Sequence, residues 1–198
     1  MIDFSYIDMK NMNIFFLSMS IKRCARAHFD KHVVKMIVEM TQLLSTCFHL
    51  VEPIAAQLLL EQQLIYRKTH VHHPCVKFVT QHMNNYDYVV RLGLELCHVW
   101  RSRYNHQKIH GCESKLIFLN QHRPSLPNHI IIKTSHNPKC LQLPLPQAMP
   151  AECRRKGNVH ACVMAYRTYY KSTHKAHLVS WTMKEEKEKK QLDKPLWW

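Results

Sequence analysis

Phe29, Val33, Met36, Met40, Leu43, Cys47 and Leu50 recur at alternating spacings of four and three residues. That is the period of an α-helix with one buried stripe. No glycine or proline interrupts the chain between Ile21 and Leu50, so the spacing predicts one helix over the whole stretch. A stripe this long is covered only by other helices. A second one, through Val76, Val79, Met83, Tyr86, Val90, Leu94, Cys97 and Arg101, predicts a helix from about Cys75 to Tyr104. Between the two, Pro53 stands near the first turn of a helix through "IAAQLLLEQQLIYRK", and "THVHHP" reads as a loop. "KLIFLN" fits either a short helix or an isolated strand, and Val159, Val163, Tyr166 and Tyr170 resume helical spacing. The three glycines, Gly93, Gly111 and Gly157, are too few for a turn-dense β fold or a Gly-rich phosphate loop. The expected fold is mainly α, a single-domain helical bundle of four to six helices.

Around this core, residues 1–11 read as an N-terminal extension and residues 12–182 as the helical domain. Residues 123–150 hold six of the nine prolines and are expected to form an extended connector. Residues 183–198 read as a charged tail closed by "PLWW". "MNIFFLSMS", from Met12, is expected as a short strand or an extended arm on the core, and Met12 is a candidate start.

The chain carries 28 Lys and Arg against 14 Asp and Glu. Between Gln121 and Lys184 there are ten Lys or Arg and a single acid, Glu152. A block so poor in acids favours a polyanionic partner, nucleic acid above all and DNA before RNA. The candidate contacts are Arg154, Arg155 and Lys156, followed by Arg167, Tyr169, Lys171 and Lys175. In the second group, tyrosines next to cations suit bases and phosphates together, whereas Tyr166 and Tyr170 are expected mainly in the core. The eight cysteines are scattered without a CxxC pair. No secretory signal pattern and no run long enough for a membrane span is visible. An intracellular, reducing setting with free thiols is therefore expected, and no membrane partner.

Cys24, His28, His32, Lys35, Glu39 and Gln42 form a second row beside the first apolar stripe, about 100° around the helix. Groups at the margin of a core have tunable protonation, and an imidazole, an ammonium and a carboxylate in reach of each other suit acid–base chemistry. Asp30 lies just outside the row. A bland reading is a polar margin in which Lys35 and Glu39 make an i,i+4 pair. A zinc reading would combine Cys24, His28 and His32 with a histidine of "HVHH". HExxH and zinc-knuckle spacings are absent, and no metal or cofactor is expected.

Two resemblances sharpen this. "NIFFLS", "CARAHFDKHVVKM", "THVHHP", "PLPQAMP" and "AYRTYYKSTHKAH" resemble a set of small uncharacterised proteins of phages and large DNA viruses, over nearly everything from Met12 onward. Phe29 stands where those have Cys, and a segment around Ile54 to Leu64 is added. More distantly, Asp30, His32, Val33 and Glu39 match a stretch near the start of the phage pyrimidine-dimer DNA glycosylase and abasic-site lyase, and "YRTYYKSTHKA" resembles its C-terminal aromatic stretch. That family has Arg before the glutamate, where this chain has Val38. The resemblance implies a viral DNA-repair enzyme in which the α-amine exposed by loss of the initiating Met attacks C1′ of the sugar. Glu39 would then stabilise the developing charge, which here requires a start that exposes Asn13. On this reading the damaged nucleotide is flipped into a pocket walled by His28, Asp30, His32, Lys35 and Glu39. His32 would be proton shuttle or orienter and Lys35 a phosphate or amine group. The alternatives are a non-enzymatic basic nucleic-acid-binding protein and a zinc-stabilised interaction module.

Overall fold

The computed structural model describes residues 12–104, 109–127, 141, 143–181 and 194–198. The proposed extension at 1–11, half of the connector and residues 183–193 of the tail lie outside the described residues. Within them the chain is helical: α1 (Ile21–Arg26), α2 (Asp30–Val51), α3 (Pro53–Glu61), α4 (Pro74–Gln81), α5 (Met83–Tyr104), α6 (Glu113–Gln121) and α7 (Val159–Lys171). No strand occurs among the described residues. α2 is the central helix, packed against α5, α4, α3 and α6. The stripe from Phe29 to Cys47 is completely buried, whereas Leu50 at its end is exposed.

The described residues form seven α-helices, not four to six, because both long predicted helices are broken. The first ends after Arg26, Phe29 turns extended, and α2 begins at Asp30. A helix end leaves carbonyls without partners, and here Arg103 of α5 supplies them. Its guanidinium is buried and donates to the carbonyls of Arg26 and His28 and to Asp30 Oδ1 at 3.2 Å. Asp30 also accepts from Ser180 Oγ at 2.6 Å, and its N–H donates to the Ser180 carbonyl at 2.9 Å. Standing in the first turn of α2, the carboxylate also favours the helix dipole. The second long helix breaks at His82, which is extended (φ −161°, ψ 145°). Its ring accepts from the Asn84 N–H at 3.1 Å, and Asn85 Nδ2 donates back to the Phe78 carbonyl at 2.9 Å.

The remaining elements follow local chemistry. Pro53 opens α3 and Pro74 opens α4, where a missing N–H costs nothing. α3 stops at Glu61, well short of the predicted Lys68, and Gln63 follows in the left-handed region (φ 59°). "THVHHP" is a loop, as expected, and "KLIFLN" lies in α6. Asn158 caps α7 by accepting from the Ala161 N–H at 3.1 Å. Phe29 stacks on Tyr170 at 4.4 Å and meets Trp181 and Trp198 edge-on, at 5.0 and 5.5 Å. Tyr166 and Tyr170 are fully buried, as expected. No described helix is long and apolar enough to cross a membrane.

Two substitutions test this packing by urea unfolding. Arg103→Met strands Asp30 and two helix-end carbonyls, and should cost about 3–5 kcal/mol. Gly93 marks the closest approach of α5 to its neighbours: a Cβ there would meet Leu116 Cδ2 at 3.0 Å and Met40 Cβ at 3.3 Å. Gly93→Ala should cost about 1–3 kcal/mol of overpacking, outweighing the ~1 kcal/mol that alanine's helix preference returns.

Candidate active site

Met12 to Leu17 is apolar on both faces and runs extended through the core. A buried extended segment outside any sheet must satisfy its backbone elsewhere. Here side chains do it: Leu17 N–H donates to Cys24 Sγ, and Arg167 Nε donates to the Leu17 carbonyl at 2.9 Å. Asn13 is held most firmly. Its Nδ2 donates to the Ala148 carbonyl at 2.7 Å, and its Oδ1 accepts from Tyr166 OH at 2.7 Å and from the Ile14 N–H at 2.8 Å. Its backbone N–H donates to Glu39 Oε2 at 2.9 Å.

Glu39 sits mid-way along α2 and is buried. Its other oxygen, Oε1, takes an ion pair from Lys35 Nζ at 3.2 Å, one turn earlier on the same face. Burial pushes the Glu39 carboxyl up; the Lys35 ammonium and the Asn13 N–H pull it back. His32, the next member of the row, shares a 2.6 Å hydrogen bond between Nδ1 and Tyr170 OH and stacks on Phe15 at 4.9 Å. Burial first, then the neighbouring Lys175, pushes its pKa down to about 2, so the ring is neutral.

Asn13, His32 and Lys35 line a cleft of about 860 Å³, and Glu39 is buried against Asn13 and Lys35; the cleft's size takes a nucleotide-scale ligand. Asn13, Phe15, His32 and Lys35 line one side; Gln147, Met149, Arg154, Tyr169, Lys175 and His177 line the other, and His73 lies between α2 and α4. Lys35, Arg154 and Lys175 all face this space, and no carboxylate is among the lining residues. Lys175 Nζ lies over the Tyr169 and Phe15 rings, at 5.1 and 5.6 Å.

The predicted residues thus divide. Glu39, His32 and Lys35 come together with Arg154, Tyr169 and Lys175. Asp30 does not line the cleft; it is bound to Arg103 and Ser180. His28 lies in the turn between α1 and α2, fully buried, with Nδ1 on the Cys24 carbonyl at 2.8 Å. Arg155 and Lys156 are exposed and line a neighbouring hollow with Arg154. Arg167 and Lys171 turn away and cover Trp197, at 4.9 and 5.8 Å. Cys24, His28 and His32 do not converge, and no metal-binding group of three His, Cys, Asp or Glu occurs among the described residues. The seven cysteines among them are free and buried. The sequence reading took His73 only as a possible zinc ligand in "HVHH"; it missed His177, a histidine with no further local signal, and Gln147 and Met149, which reach the site only through the fold.

The buried imidazoles give stability a definite pH dependence. His28 is pushed down to about 4 by burial and His32 to about 2, while an unfolded histidine titrates near 6.5. From about pH 6.5 down to 4 the unfolded chain therefore binds more protons, and the fold weakens as pH falls, by up to about 1.4 kcal/mol per pH unit for each histidine. Glu39, pushed up, acts with the opposite sign above its unfolded pKa. Urea unfolding of His28→Gln beside the parent chain at pH 7 to 5 isolates one histidine, and the variant's slope should be shallower by up to one proton.

A family model described as pyrimidine dimer DNA glycosylase matches residues 12–110, half of the chain. Comparison with curated proteins and with solved structures gives no match. The matched stretch contains the arm and α1 to α5, hence Asn13, His32, Lys35 and Glu39; the opposite wall of the cleft follows it in the chain. On that match the chain belongs to the pyrimidine dimer DNA glycosylase family.

Proposed function

We propose that the protein is a DNA glycosylase and abasic-site lyase that works on a damaged nucleotide flipped into this cleft. One observation carries the reading: the nitrogen of Asn13, a residue that lines the cation-lined cleft, lies 2.9 Å from the Glu39 carboxylate. That is the distance at which a general base takes a proton. In a chain beginning at Asn13 this nitrogen is an α-amine, with an ordinary pKa of about 7.7–8.0, so a useful neutral fraction is present near pH 7. The neutral amine attacks C1′, and the new N–C1′ bond replaces the bond to the damaged base. The base leaves with the electron pair and takes a proton. Glu39 receives the proton lost by the amine and returns it to the ring oxygen as the sugar opens to the imine. Loss of a 2′-proton then breaks the C3′–O bond. Lys35, Arg154 and Lys175 are placed to hold the flanking phosphates, and Tyr169 to stack on a base.

The test is sodium borohydride trapping on an abasic-site oligonucleotide, with Asn13 exposed as the first residue by proteolytic release. A covalent adduct is expected, and Glu39→Gln should lower its rate of formation by about 10²–10⁴-fold while leaving DNA affinity intact. DNA binding that falls steeply with salt, with no adduct and no effect of Glu39→Gln, would instead mark a non-enzymatic binding protein.

A further inference from the structure

We infer that the cleft carries a second nucleophile, the side-chain amine of Lys175, which forms the imine with an abasic sugar in chains whose Asn13 nitrogen is a peptide N–H. This rests on the reading that the cleft takes abasic DNA.

Two lysines face the cleft, and their surroundings differ. Lys35 Nζ is committed to Glu39 at 3.2 Å. Lys175 makes no ion pair among the described residues; its amine lies over the Phe15 and Tyr169 rings, one from each side of the cleft. Schiff-base chemistry needs an amine that is neutral part of the time, and desolvation beside another cation provides one. Lys175 has both conditions: burial pushes its pKa down, the Lys35 ammonium adds to this, and Glu39 opposes it. The rings attract the ammonium and fix where the amine points. His32, which lines the same cleft, is neutral and adds no charge of either sign.

The chemistry balances without a further reagent. Neutral Lys175 Nζ adds to the C1′ aldehyde of the open abasic sugar, the C1′–N bond forms, and the carbonyl electrons move to oxygen, which takes a proton. The nitrogen then loses a proton, the hydroxyl takes a second one from solvent, the C1′–O bond breaks, and water leaves the protonated imine. These protons pass to and from solvent, which the open cleft admits. Borohydride donates hydride to the imine carbon and leaves a stable secondary amine.

The experiment uses the full chain from Met1, an oligonucleotide with one abasic site, and borohydride, with the attachment point located by peptide mass mapping. The inference expects the adduct on Lys175. Lys175→Arg, which keeps the charge, should lower the yield by about tenfold or more, with a melting temperature close to that of the parent. Mapping the parent adduct needs no variant, so misfolding of Lys175→Arg would leave the test intact. An adduct on Lys35 or on the Met1 α-amine overturns the inference and leaves the lyase reading standing. So does the absence of an adduct from the full chain when the form beginning at Asn13 gives one. No adduct from either form overturns both.

Discussion

A carboxylate inside a helical core is the constraint on which the rest of this protein is arranged. Placing Glu39 on the buried side of α2 removes a charge from water at a cost of several kcal/mol unless partners replace the lost hydration. Lys35 covers one oxygen and the Asn13 N–H the other. The second bond is the more consequential, because it requires an extended segment to enter the core beside α2. Once there, Asn13 is tied to Tyr166 of α7 and to Ala148. The two walls of the cleft, far apart in sequence, are thereby hung on one residue. The arm is part of the core that α2 needs, and the cleft is where that core stays open.

A second buried carboxylate shows what a purely structural one looks like. Asp30 meets a guanidinium whose other donors go to helix-end carbonyls, and a serine hydroxyl completes its shell. It closes the α1–α2 turn and docks the segment after α7. Glu39 differs in that its partners, a mobile type of side chain and a backbone nitrogen, both line an open cavity. Tyr170 connects the two regions, stacked on Phe29 on one side and hydrogen-bonded to His32 on the other. The acid-poor C-terminal block then supplies Arg154 and Lys175 to the far wall, so the field in the cleft is positive and Glu39 is its buried counterweight.

How much of this could be read from the chain follows from where each cause lies. His32, Lys35 and Glu39 share a face because they share one helix, and a period of 3.6 fixes that locally. His28 extends the same numerical row, but the helix it was assigned to ends before it. The break carries no glycine or proline; its cause is Arg103, an α5 residue that competes for the carbonyls of Arg26 and His28. The break at His82 likewise depends on a tie to the preceding helix, through Asn85. The basic C-terminal residues were visible as a group, yet the turn of α7 sends Arg167 toward Trp197 and Tyr169 toward the cleft. Asn13 was legible only through the resemblance to enzymes that use an N-terminal amine.

The protonation states in the cleft assign its proton transfers. A shuttle must titrate near the working pH, and His32 does not: burial and Lys175 keep it neutral down to about pH 2. Its geometry suits a different task, fixing the Tyr170 hydroxyl and presenting a flat face to Phe15. Around it, Glu39 is pushed up, and Lys175 and His73, which line the cleft, are pushed down. An acid and an amine displaced toward each other can exchange a proton at small cost. On the proposed reading, proton handling at C1′ therefore falls to the carboxylate and the amines around it, while the imidazole that heads the row holds the pocket's shape.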